Sequence, residues 1–170
     1  MYVDIEFMFN CRTLKIKISY ENITNIGDAA MSAIEKIKDH DYLKKKKFKK
    51  INDTYGHLVG DEVIIKVAHI IEAEVRTSDI VARFGGEEFV MLLQDCNLDD
   101  AYKVAEKVRE DIEKTSISVH IDTEVKFTVS IGVAQFSEVD NNNIELTLSR
   151  ADEALYKAKN IGRNKTVVSN

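Results

Sequence analysis

The sequence predicts one α/β domain, two or three layers deep, with some antiparallel pairing. Three observations predict it. Short apolar runs of period two are mixed along the chain with longer runs at helical spacing, so strands and helices are interleaved rather than segregated. Two of the short runs, Ile80–Phe84 and Phe89–Leu93, are separated only by Gly85-Gly86-Glu87-Glu88 and read as a hairpin of mostly buried strands. The length of 170 residues suits one domain, large enough to bury a core without a disulfide or metal staple.

The elements follow in order. Val3, Ile5, Phe7 and Phe9 alternate, then Leu14, Ile16, Ile18 and Tyr20, which predicts two half-buried strands in a hairpin. Ala30, Ile34 and Ile37 form one stripe of a helix over 28–38. From Gly60 to about Arg76, Ile64, Ala68, Ile71 and Val75 recur at helical spacing with Val63, Val67 and Ile70 beside them, a wide apolar face. The central hairpin comes next, then a helix carrying Ala101, Ala105, Val108 and Ile112. Phe127, Val129, Ile131 and Val133 alternate as a strand. Ile144, Leu148, Ala151, Leu155 and Ala158 mark the last long helix, and 165–168 a final strand. Residues 1–47 stand apart in charge and pattern as an atypical N-terminal segment, a hairpin plus a helix, either an appendage or part of the same fold, before a domain over 48–170.

Composition narrows the function. Hydrophobic residues at 44% and charged residues at 31% are the balance of a soluble globular protein. No apolar run approaches the roughly 18 residues of a membrane span, and the opening MYVDIEFMFN lacks the features of a signal peptide. Cys11 and Cys96 lie far apart without zinc-type spacing, which excludes a disulfide scaffold and a cysteine zinc site and points to a reducing cytoplasm. The net charge of −5 is uneven: residues 1–50 carry 11 Lys and Arg against 7 Asp and Glu, a balance of +4, and the rest carries 13 against 22, a balance of −9. An acidic domain argues against general nucleic-acid binding. The run Lys44–Lys47, Lys49, Lys50 is the exception, and its ordinary reading is a solvated loop.

Three clusters could carry chemistry. In Arg83-Phe84-Gly85-Gly86-Glu87-Glu88-Phe89, the plain reading is a tight turn with two carboxylates in water. Adjacent glycines also allow close backbone approach to a ligand. Adjacent carboxylates repel unless a cation sits between them, and hard divalent ions take such oxygens together with substrate phosphates. In Asn52-Asp53-Thr54-Tyr55-Gly56-His57-Leu58-Val59-Gly60-Asp61, the plain reading is a turn followed by a helix start. Asn52 and Asp61 could instead flank a pocket for a guanine edge, the carboxylate accepting from ring N–H and exocyclic amine. Lys157, Lys159 and Arg163, with Gly162, close the last helix, either complementing its dipole or binding phosphate.

The segments FKKINDTYGHLVGDEV, RTSDIVARFGGEEFVMLL, FTVSIGVA and SRADEALYKAKNIGRN together resemble the GGDEF family of diguanylate cyclases over about residues 48–166. The resemblance implies a ferredoxin-like, palm-type nucleotidyl cyclase core: a central mixed sheet backed by helices. It implies condensation of two GTP molecules into cyclic di-GMP with release of pyrophosphate, two Mg²⁺ or Mn²⁺ ions per site, and a homodimer in which two domains meet face to face. It places Glu87 and Glu88 at the metal and the 3′-hydroxyl, with Glu87 as general base and ligand. Asn52, His57 and Asp61 would hold guanine, and Lys49, Lys159 and Arg163 the phosphates. Arg76-Thr77-Ser78-Asp79 matches the family's inhibitory RxxD motif, so Arg76 and Asp79 would bind the product. The plainer reading of that stretch is a helix ending in Arg followed by a turn Asp.

One family motif departs from the pattern. Asp-x-Asp-x-Phe-Lys normally precedes the Asn-Asp pair, and an ungapped alignment puts Lys44 and Lys46 at the two aspartates, with Phe48-Lys49 matching its end. The fit of Phe48-Lys49 favours the ungapped reading over two gapped alternatives: Asp39-His40-Asp41 with five residues inserted after the motif, and Asp4-Ile5-Glu6-Phe7, on a better strand but with a very long insertion. A lysine at the ligand position repels each divalent ion by several kcal/mol, at ~4 Å and an effective dielectric of ~20. The expectation is weak or absent turnover unless Asp39, Asp41, Asp4 or Glu6 lies beside Glu87. Three readings stay open: a cyclase, a degenerate domain that binds GTP or cyclic di-GMP without turnover, and an interaction module.

Overall fold

The computed structural model describes residues 4–11, 53–83, 86–120, 123–136 and 144–169, the first of these as backbone. The strand expected at 14–20, the helix at 28–38 and the lysine run at 44–50 lie outside the described residues. Within them run β1 (Asp4–Cys11), α1 (His57–Glu74), β2 (Ile80–Arg83), β3 (Glu88–Leu93), α2 (Leu98–Lys114), β4 (Ser116–His120), β5 (Thr123–Lys126), β6 (Thr128–Gln135), α3 (Ile144–Asn160) and β7 (Thr166–Val168). No helix among the described residues is long and apolar enough to cross a membrane.

Five strands form a mixed sheet in the order β2-β3-β1-β6-β7. β2 and β3 pair antiparallel, as the short Gly-Gly-Glu-Glu spacing predicts. β1 lies in the middle, parallel to both β3 and β6, and β7 extends the sheet parallel to β6. The segment that stands apart in charge therefore supplies the central strand. The hairpin β4–β5 is a separate two-stranded sheet, with a register shift between Ser118 and His120. It is not among the elements predicted above, although Val125 joins the core and Ile117 and Val119 pack against it.

The two faces of the sheet are covered differently. One carries α1 and α2: Val63, Val67 and Ile71 of α1 and Ala101, Ala105, Val108 and Ile112 of α2 share a core with Phe89, Met91 and Leu93 of β3 and Val129, Ile131 and Val133 of β6. The other carries α3, whose Leu148, Ala151 and Leu155 cluster with Val90 and Ala134. The result is three layers. The period of two explains the split along β6, whose large residues enter the thick core while Gly132 and Ala134 on the alternate positions meet α3.

Helix ends are fixed locally. α1 begins after Gly56, which has φ 85, three residues earlier than the apolar spacing suggests, because Gly60 is a buried helical residue rather than a start. α2 is capped by Asn97: its Oδ1 accepts from the Asp100 N–H (2.8 Å) and its Nδ2 donates to Asp100 Oδ2 (2.8 Å), with Asp99 also in the first turn.

Gly132 sets how close α3 comes. A Cβ there would stand 2.1 Å from the Ala151 carbonyl oxygen and 2.5 Å from the Leu155 nitrogen, both helix backbone that has nowhere to go. Gly132→Ala is expected to destabilise the domain by about 3 kcal/mol or more, a fall in Tm of roughly 6–12 °C for a domain this size. An unchanged Tm in thermal denaturation would show that α3 does not pack on β6 in this way.

Candidate active site

The β2–β3 loop is organised by Arg83, the last residue of β2. Its Nη2 donates to the Gly86 carbonyl oxygen at 2.6 Å, bracing the loop from one side to the other. Phe84 and Gly85 lie outside the described residues. Glu87 is only 8% exposed, although it is a carboxylate at a strand edge, and Glu88, half-buried, opens β3. Burying a carboxylate requires hydrogen bonds or a cation to offset lost hydration, so this is not a turn with both acids in water.

The sheet register places other functional positions beside these two. Glu6 of β1 is the Cα partner of Glu88, and Ser130 of β6 is the partner of Glu6. Adjacent strands lie about 4.8 Å apart, so the row Glu88–Glu6–Ser130 spans roughly 10 Å. Asp4 is two residues earlier on the same strand, opposite Thr128. The buried Ser130 Oγ accepts from the Asn164 N–H (3.2 Å), and the Ile131 N–H donates to the Lys165 carbonyl (2.9 Å). The turn that follows α3 thus lies at the same end of the sheet as the Glu87–Glu88 pair, and it carries Arg163, with Lys159 one turn back in the helix.

That turn has an uncommon backbone. The Arg163 N–H bonds back to the Ala158 carbonyl (3.0 Å), the longer of the two bonds of a Schellman cap, with Gly162 at φ 119. Arg163 and Asn164 then also take positive φ, 61 and 47, which is strained for residues with a Cβ. Asn164 Oδ1 accepts from Arg109 Nη1 (3.1 Å) and its Nδ2 donates to Glu113 Oε1 (2.7 Å). Arg109, largely buried on α2, also bonds Glu106 through Nε (3.0 Å) and Nη2 (3.1 Å), and Glu113 through Nη1 (2.9 Å). Burial pushes the Glu106 carboxyl up, but the hydrogen bonds and charge of Arg109 outweigh it and hold the pKa below the ordinary value. The hydrogen bond to Glu106 holds Arg109 above its own. The pair is therefore fully charged near neutral pH, and the stabilisation it brings is lost only as the pH falls through the lowered Glu106 value. Sequence reasoning missed Arg109 and Asn164; the tolerance of asparagine for positive φ is the one local signal of the latter.

The remaining predicted residues are placed as follows. His57 and Asp61 are both exposed, four residues apart on α1 and hence on one helical face. α1 runs into the turn 75–79 from which β2 sets out, so their end of the helix and the Glu87–Glu88 loop both lie away from that turn. Lys49, Asn52, Asp39 and Asp41 lie outside the described residues.

Arg76 and Asp79 sit at the other end of β2. The Asp79 carboxylate accepts from the Arg76 N–H on Oδ2 (2.8 Å) and from the Gln94 N–H on Oδ1 (3.0 Å), while the Asp79 N–H donates to the Arg76 carbonyl (2.9 Å). Asp79 therefore folds the turn and ties it to the end of β3, and Arg76 is exposed. Asp79→Ala is expected to cost about 1–3 kcal/mol, a Tm drop of roughly 3–9 °C. Arg76→Ala should stay within about 0.5 kcal/mol of the parent. Equal losses for the two variants would remove this role from Asp79.

Comparison with known proteins agrees with this geometry. The family model described as "Diguanylate cyclase, GGDEF domain" matches residues 42–165. Diguanylate cyclase DgcM of Escherichia coli K12 is 46% identical over 123 residues, 72% of this chain and 28% of that protein. Diguanylate cyclase A of Treponema denticola is 42% identical over 122 residues, 72% of this chain and 32% of that protein. The chain thus spans less than a third of the length of these relatives. Among solved structures, the active GGEEF domain of a diguanylate cyclase from Vibrio cholerae has a TM-score of 0.65 at 31% identity, covering 72% of this chain and 76% of that one. The GGDEF domain of DgcB from Caulobacter crescentus, in complex with c-di-GMP, has a TM-score of 0.69 at 27% identity, covering 84% and 87%. A braced Gly-Gly-Glu-Glu hairpin, a mixed sheet between helical layers and relatives of this identity over most of the chain lead to one assignment: the chain belongs to the GGDEF family.

Proposed function

We propose that this domain condenses two GTP molecules into cyclic di-GMP with release of pyrophosphate, two copies of the chain meeting face to face with one GTP on each. One observation carries the reading. The buried Glu87, Glu88 at the head of β3 and the cationic turn after α3 share one end of the sheet. The 3′-hydroxyl oxygen of one GTP attacks the α-phosphorus of the other; the new O–P bond forms as the bond to pyrophosphate breaks, and the hydroxyl proton passes to Glu87. A second, identical step closes the ring. Lys159, Arg163 and Lys49 offset the charge on the phosphates, which is most of what a protein contributes to phosphoryl-type transfer.

The ions that the family uses suit the donors present. No three His, Cys, Asp or Glu side chains converge as a metal site among the described residues. Mg²⁺, however, takes one or two carboxylates together with substrate phosphates and water, and Glu87 and Glu88 can supply that pair. Glu87 and Glu88 would hold Mg²⁺ or Mn²⁺, which when bound polarises the reacting phosphoryl group. The register of Glu6 with Glu88 favours β1, with Glu6 and Asp4, over Lys44 as the source of a further carboxylate.

His57 and Asp61, with Asn52, would read guanine. Arg76 would take the product in the feedback site, with Asp79 shaping the turn that presents it.

The test is to mix purified protein with GTP and Mg²⁺ or Mn²⁺ and follow cyclic di-GMP. Glu87→Gln is expected to cut turnover by about 10²–10⁴-fold while GTP still binds. Parent protein that binds GTP without forming product would be a nucleotide-binding module instead. Asp61→Ala should weaken GTP binding about 10- to 100-fold and leave ATP binding nearly unchanged, because a lost charged hydrogen bond strands its partner. Equal, small effects on both nucleotides would return Asp61 to the role of a surface helix residue. For the feedback site, titration calorimetry of Arg76→Ala should show product binding lost, and full-strength binding would overturn the assignment.

A further inference from the structure

We propose that Asn164 is the positioning residue of the phosphate end of the site: it fixes the backbone of the turn after α3, and through that backbone it sets where Arg163 presents its guanidinium. The inference rests on the reading above that Arg163 meets a nucleotide phosphate.

Three consecutive residues, Gly162, Arg163 and Asn164, have positive φ, and two of them carry a Cβ. A turn of this kind does not hold itself, so its partners must determine it. The Arg163 N–H is held by the Ala158 carbonyl, which ends the helix but leaves the direction of the chain beyond it open. Asn164 supplies that direction from three sides. Its N–H is tied to Ser130 of β6 at 3.2 Å, its Oδ1 to Arg109 at 3.1 Å and its Nδ2 to Glu113 at 2.7 Å, the last two on α2. Arg109 is a firm anchor, since Glu106 engages the same guanidinium through two of its other nitrogens.

The two layers that clasp the sheet therefore meet at this one side chain. α2 belongs to one face of the sheet and α3 to the other, and Asn164, beyond the edge of α3, reaches α2 across 55 positions of sequence from Arg109. A guanidinium binds phosphate well only when its fork is aimed, and an arginine on a turn free to reorient spends its affinity on being ordered. Asn164 touches no reacting group in this arrangement. Its effect passes through Arg163.

The experiment measures the affinity of the purified protein for GTP and for inorganic tripolyphosphate, with Asn164→Gly, Arg163→Ala and the double variant. Glycine keeps the positive φ and removes only the side-chain ties. Asn164→Gly is expected to weaken both ligands by about tenfold, the factor for one well-made charged hydrogen bond. In the Arg163→Ala background it should have no further effect, the coupling expected of residues that act as a unit. A purely structural role would instead add its loss to that of Arg163→Ala, and that result overturns the proposal. Unchanged affinity in Asn164→Gly overturns it too. If Arg163→Ala alone binds both ligands like the parent, the phosphate reading of Arg163 fails and the inference falls with it, a result distinct from the other two. Should Asn164→Gly not fold, Glu113→Ala, at a half-exposed residue, removes the tie to Asn164 together with one bond to Arg109 and should show the same coupling at about threefold.

Discussion

The rest of the structure depends on the absence of a side chain at Gly132. Helix α3 rests so closely on β6 that a single methyl group would overlap its backbone. That contact fixes the height of α3 above the sheet. Ala151, Ala154 and Ala158 line its buried side, where small residues let helix and sheet approach. The height of the helix determines where its C-terminus emerges, beside Ser130 at the end of β6. Only there can the turn carrying Arg163 share a sheet end with Glu87 and Glu88. A packing constraint in the interior thus becomes the placement of charge at the surface.

The two ends of the sheet are built for different tasks. At the end where β2 begins, the carboxylate of Asp79 is consumed by two backbone N–H groups and does the work of a turn. At the end where β2 stops, the chain holds a buried carboxylate, Glu87, and a turn of strained residues. A buried carboxylate and three consecutive positive-φ residues thus gather at one end, while the other holds a single positive-φ residue, Asp95, beside a carboxylate bound to backbone. The ion pairs along α2 serve the same division. Lys103–Asp100 and Lys114–Glu110 are exposed and contribute little. Arg109, nearly buried, carries the link to the turn after α3, at the Glu87–Glu88 end of the sheet.

How much of this the sequence discloses depends on how local the cause is. The β2–β3 hairpin and the apolar stripes of α1, α2 and α3 are legible because their periodicity lies within a few turns of chain. The alternation of Ile5, Phe7 and Phe9 discloses a strand, but not that it fills the middle of the sheet, since its partners are more than 70 residues away and register is a long-range property. The β4–β5 hairpin is legible in principle, since Ile117 and Val119 alternate with Ser116, Ser118 and His120, but β4 is only five residues long. The carboxylates and the cations of the site stand out as types. That Asn164 joins two helical layers is invisible in sequence, because Glu113 and Arg109 look like the surface charges of any amphipathic helix.

The overall charge makes this local arrangement necessary. The chain carries a net −5, and the region beyond residue 50 is more acidic still, a balance of −9. An anion approaching such a protein meets repulsion at long range, softened beyond roughly 8–10 Å by salt. Attraction must then come from a few cations held at short range, where screening is weak. A flexible lysine on an acidic surface would be drawn to its nearest carboxylate, as Lys103, Lys107 and Lys114 are on α2. The turn that carries Arg163 has its backbone pinned to α2 and to β6 through Asn164. In an acidic domain, a turn pinned in this way fixes where the backbone of Arg163 stands relative to the Glu87–Glu88 loop.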